Sequence, residues 1–324
     1  VIPLAASLIS QHFVGKARTR QLGMKSSLSN FSVIFATLFV GWMAAINWHL
    51  AFIVYMLPII PLVLIPFMTD SYIDAHKKLR PSPPFEPKSE PKKPSDDDIR
   101  KAVATKKPAS VNFHFQGSRS LILLFGVMAV YFVMTYATEA VSYYLPFDME
   151  HYGLNTGEVG VATAMFFAAA TVAGFFLTKF IAFFKGSTMQ VAIMLCIIGL
   201  FVTGLFHHSL SYILGVFIMG LGYGIVQPII YDKTSYIAPT AAKSTEYFAY
   251  LLTCNYIGIS CVPFIVSAMK RLFDAQSDPG FSFILNGSVC ILMLIVAVIK
   301  RKSFVFEADA SFYEHPASTP VSQK

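Results

Sequence analysis

Apolar runs about twenty residues long recur along almost the whole of this chain. A run of that length, coiled as a helix rising roughly 1.5 Å per residue, crosses a hydrocarbon layer of roughly 30 Å. After a partial first segment, residues 1–14, eight complete spans are expected at 28–46, 49–68, 120–146, 159–178, 188–206, 209–230, 245–268 and 281–299. A membrane β-barrel would show segments of roughly ten residues with apolar and polar positions alternating, and no such alternation is present. Hydrophobic residues make up 55% of the sequence and charged residues 13%, about half the charge of a soluble domain. The fold class is therefore an all-α membrane protein. The chain opens at Val1 inside an apolar stretch, with neither an initiator Met nor a basic leader, and reads as a piece whose beginning is missing.

Orientation follows from the basic residues, which stay on the cytoplasmic side during insertion. Strict alternation of the spans places Lys16, Arg18, Arg20 and Lys25, then Lys179 and Lys185, then Lys233 and Lys243, then Lys300, Arg301 and Lys302 on one side. The opposite side receives Lys270 and Arg271 together with Asp148, Glu150 and Glu158. That distribution assigns the net charge of +7 to a membrane surface rather than to nucleic acid, and puts the C-terminus in the cytoplasm.

Residues 69–118 are rich in Pro and Lys and too poor in apolar side chains to fold alone, which makes them a cytoplasmic linker. Within it Ser95, Asp96, Asp97 and Asp98 precede Lys101, Lys106 and Lys107, a charge order that suits a short surface helix. Residues 303–324 form a polar, disordered tail. Cys196, Cys254, Cys261 and Cys290 all lie in apolar blocks without paired spacing, so they read as packing residues, and no metal or cofactor is implied.

The stretch VGKARTRQLGMKSSLSN, followed by the turn Asn47, Trp48, His49, Leu50, Ala51 and Phe52, resembles the connections around helices four, five and six of the major facilitator superfamily. The resemblance implies a helix bundle with an incomplete N-terminal half (residues 1–68, from the end of helix four through helix six) and a complete six-helix C-terminal half (residues 119–302). It also implies a monomeric, multi-pass secondary transporter of the bacterial inner membrane. Such a protein would move a small solute by alternating access, coupled to protons, with lipid around it and no catalytic activity. Two departures are visible: the run from Gly174 to Gly186 carries Lys179 and Lys185 but no Asp, and the span holding Gly41 has no proline.

Ionisable groups inside a span are costly and mark function. Glu139 is the leading candidate, and helical spacing aligns it with Tyr131, Thr135, Ser142 and Tyr143. It would exchange a proton or contact a cationic group of the solute; the competing reading places it near the outer surface with hydrogen bonds only. In the 209–230 span Tyr223, Gln227 and Tyr231 share a face, Gly220, Gly222 and Gly224 permit close backbone approach, and Pro228 bends the helix where a gate is needed. Asn255 sits near mid-membrane, Glu246 stabilises the first turn of its helix, and Asn30 and Thr37 are spaced to share a face. His207 and His208 mark an outer turn and lack a third ligand for a metal. No phosphate loop or catalytic triad is present. The alternative to transport is a transporter-like sensor that binds a ligand without moving it.

Overall fold

A computed structural model describes residues 2–13, 15–47, 118–238 and 241–308, together with residues 49, 50, 52, 56, 59, 60 and 63. Most of the expected span at 49–68, the turn residues Trp48 and Ala51, almost all of the linker and residues 309–324 lie outside the described set. Among the described residues every regular element is helical: α1 Ile2–His12, α2 Gly15–Ile46, α3 Ser118–Thr138, α4 Ala140–His151, α5 Thr156–Phe175, α6 Leu177–Phe184, α7 Thr188–Leu205, α8 Ser209–Ile237, α9 Ala241–Leu272 and α10 Phe281–Ile299. Seven stretches are long and apolar enough to cross a membrane.

The surface is apolar and much of the polar matter is inside. Phe183, Phe264, Phe125 and Ile122 are more than two-thirds exposed, whereas Thr135, Thr203, Asn286, Asp232 and Lys233 are buried. Water would penalise so large an apolar face, and hydrocarbon accepts it. Local chemistry sets the helix ends where the chain turns. Asn155 and Glu158 form a reciprocal capping box at the start of α5, each accepting the other's backbone amide at 3.0 Å.

α8 lies at the centre, packed against α2, α3, α5 and α7, while α2 runs along α5 and α9 along α3. Two glycines explain how tightly α8 fits. A Cβ on Gly222 would press into Ala192 and Cys196 of α7, and one on Gly224 would stand 2.6 Å from the Ala170 Cα of α5. Small residues let backbones meet where lipid supplies no hydrophobic drive between helices.

The structure differs from the sequence expectations in three ways. The basic stretch at 16–25 is not a loop but the first turns of the 32-residue α2, whose length of about 48 Å carries those turns beyond a roughly 30 Å hydrocarbon layer. The single span expected at 120–146 runs on to His151; Glu139, between α3 and α4, keeps helical backbone, its amide donating to the Thr135 carbonyl at 2.9 Å and its carbonyl accepting from the Tyr143 amide at 3.1 Å. Of the tail expected to be disordered from Ser303, the described residues 303–308 instead fold back, with Phe306 and Ala308 buried against the bundle. Prolines lie inside α4, α8 and α9, at Pro146, Pro228 and Pro263, and each helix continues past its proline.

Candidate functional site: a central cavity

Glu139, at the junction of α3 and α4, lines a cavity of about 190 Å³. α3 and α4 contribute Tyr131, Thr138, Glu139 and Ser142, α8 contributes Tyr223, Gln227 and Tyr231, and α9 contributes Leu252, Asn255, Tyr256 and Ile259. Asn30 of α2 and Phe166 and Phe167 of α5 complete the wall. Asn30, Phe166, Phe167 and Asn255 come from the middle portions of α2, α5 and α9. The cavity's volume is below the roughly 300–1,000 Å³ of sites for drug-sized ligands.

Hydrogen bonds fix this wall. The Tyr131 and Tyr231 hydroxyls lie 3.2 Å apart, with their rings edge to face at 5.9 Å. The Gln227 amide donates to the Tyr131 hydroxyl at 3.4 Å, and Ser26 of α2 donates to the Gln227 carbonyl oxygen. Among the described lining residues Glu139 carries the only carboxyl group, and no Lys, Arg or His joins it there. On the α2 side the Lys25 ammonium stands 4.8 Å from the centre of the Tyr231 ring.

Of the residues singled out from the sequence, Glu139, Tyr131, Ser142, Tyr223, Gln227, Tyr231 and Asn255 line one cavity. Thr135 stands behind the wall, where its hydroxyl donates to the Asn255 side-chain oxygen at 2.7 Å and fastens α3 to α9. Tyr143 is on α4, partly exposed, and does not line the cavity. Asn30 reaches the cavity, whereas Thr37 faces a separate apolar groove beside Gly41 and returns its hydroxyl to the Val33 and Ile34 carbonyls. Glu246 accepts a hydrogen bond from Tyr250 at 2.6 Å. His207 stacks on Tyr152 at 4.0 Å and pairs with the Tyr212 hydroxyl at 3.1 Å. No group of three or more His, Cys, Asp or Glu side chains converges as a metal site among the described residues.

Sequence reasoning missed a second cluster. At the end of the bundle rich in Lys and Arg, called here the basic end, Arg18 of α2 meets Asp232 of α8 at 2.6 Å, and both side chains are buried. Thr19 donates to the other Asp232 oxygen at 2.6 Å, and the Arg18 guanidinium lies 4.4 Å from the centre of the Tyr236 ring. The signal was present: an Asp-Lys pair directly follows an apolar run. Closing the expected span at residue 230 had assigned that pair to a loop, whereas α8 continues to Ile237 with Asp232 and Lys233 inside.

A multi-pass bundle with an apolar exterior, a polar central cavity and a buried ion pair joining its first long helix to its central one is the architecture of a membrane transport protein. The Major Facilitator Superfamily profile matches residues 1–263, and the chain belongs to that superfamily. No curated protein and no solved structure matches the chain.

Proposed function

We propose that this protein is a secondary transporter that carries a small solute across the bacterial inner membrane by alternating access, coupled to protons, with the basic end in the cytoplasm. The observation that carries this reading is the cavity itself, where one carboxyl group stands among tyrosines and amides in the middle of an apolar bundle. An intramembrane carboxyl is costly to maintain, and it is tolerated where it binds or releases a charge. In this role Glu139 takes up and releases the coupling proton, Gln227, Ser142 and Asn255 supply hydrogen bonds to the solute, and the tyrosines shape the space around it. The Arg18–Asp232 pair closes the cytoplasmic end in the conformation described and parts when the cavity opens inward.

The test is uptake by proteoliposomes of the full chain incubated with a defined mixture of sugars, amino acids, organic acids and amines. The internal content is read by mass spectrometry with and without a pH gradient. At least one solute accumulates when the gradient is imposed, and Glu139→Gln abolishes the dependence on the gradient while leaving counterflow measurable. Gradient-driven accumulation that is unchanged in Glu139→Gln removes the coupling role. Binding of a solute without any accumulation converts the reading to that of a sensor.

A further inference from the structure

The chain beyond α10 folds back under the basic end. The Ser303 amide donates to the Lys300 carbonyl at 2.8 Å, and the Phe306 and Glu307 amides donate to the Ser303 carbonyl at 3.0 Å. Phe306 and Ala308 are buried, and Val305 rests on Gly126 of α3, where a Cβ would stand 3.1 Å from its side chain. Lys233 of α8 is the centre of the arrangement. It is fully buried, its ammonium donates to the main-chain carbonyls of Phe304 and Glu307, and it lies 4.7 Å from the centre of the Phe304 ring. Removing a buried ammonium from its acceptors is costly, so this contact ties the end of α8 to residues 304–307.

The same end of α8 holds the ion pair. Asp232 precedes Lys233, and Tyr236, one turn on, faces the Arg18 guanidinium while its ring lies 6.5 Å from that of Phe304. Pro228 stands just before this segment and removes one helix hydrogen bond there, which makes the helix easiest to bend among its own cavity residues, between Tyr223 and Tyr231, ahead of the ion pair. We propose that residues 300–308 are an intramolecular clamp on the part of α8 beyond Pro228. The clamp keeps Asp232 on Arg18, and it must release before that part of the helix can swing away. Opening of the basic end is thereby made subject to anything that binds or displaces the segment after α10. The meaning of opening rests on the alternating-access reading; the clamp itself rests on the contacts of Lys233, Phe304 and Phe306.

Hydrogen–deuterium exchange of the full chain in lipid nanodiscs tests this. Phe304→Ala combined with Phe306→Ala is expected to speed exchange at residues 229–237 and 15–23 by roughly tenfold, with residues 156–163 at the opposite end unchanged. A Gly126→Cys, Val305→Cys pair, oxidised to a disulfide, is expected to slow exchange at 229–237 relative to the same protein after reduction. The proposal is overturned if residues 303–307 lose protection while 229–237 or 15–23 keep the wild-type rate. If the alanine pair raises exchange at 156–163 as well, the protein has unfolded generally, and the disulfide pair decides: equal rates before and after reduction overturn the clamp. A wild-type protein that takes up no solute would remove the transport reading and leave this exchange result standing.

Discussion

α2 is closed against its neighbours at both ends, by different physics. At the basic end Arg18 and Thr19 occupy both oxygens of Asp232, Ser26 donates to Gln227, and Gly23 comes so close to the Gly174 carbonyl that a Cβ would stand 2.6 Å from it. At the opposite end Gly41 meets Gly160, where a Cβ on either would stand within about 3 Å of the other's Cα, beside a groove lined by Ala36, Val40, Ala44 and Val159. Among the described residues, directional, charged bonds hold one end and close van der Waals contact holds the other. Charged bonds are specific and fail abruptly when one partner is lost; shape contact is nonspecific and fails in proportion to the volume added.

The largest effect that sharpens this contrast is expected from Arg18→Met, which strands the buried Asp232 carboxylate and costs about 3–5 kcal/mol. The measurement is the thermal midpoint of unfolding in detergent, and Arg18→Met combined with Asp232→Leu should recover most of the loss, because a buried pair replaced by apolar groups is often neutral. A double variant as unstable as the single one would mean that packing, not charge, holds the basic end. Next is Gly160→Val at the opposite end. Overpacking there should cost about 1–3 kcal/mol with no rescue by any single substitution of a charged residue, read on the same midpoint. A cost as large as that of Arg18→Met would erase the distinction between the ends. The smallest is Thr135→Val, away from both ends, which deletes the hydrogen bond to Asn255 for about 1 kcal/mol and leaves labelling of a single cysteine introduced at Lys16 unchanged. A change in that labelling would show that the cavity wall and the basic end move together.

The helical membrane class was legible because span length and apolar content are local properties: from α3 to α10 each expected span corresponds to a described helix or helix pair. Glu139 was legible for the same reason, as an ionisable residue amid apolar ones. Asp232 was not, because its burial depends on Arg18, more than two hundred residues earlier. A polar residue paired across the fold looks, along the sequence, like the beginning of a loop. The start of α2 was hidden by the same rule in reverse, since charges at 16–25 suggested a connection where the helix continues. The contact of Gly41 with Gly160 carries no local sign at all, because either glycine alone is compatible with any close approach.

The three internal prolines bear on what the cavity wall can recognise. Proline has no amide hydrogen, so Pro146 and Pro263 each deprive the carbonyl four residues earlier of its donor within the helix. Those carbonyls belong to Ser142 and Ile259, and both residues border the cavity. Two residues of the wall thus have main-chain carbonyls with spare capacity to accept a hydrogen bond, whichever side chains surround them. Alanine scanning would leave that capacity in place, and the exchange of a proline for alanine, which restores the missing donor, would be the substitution that withdraws it.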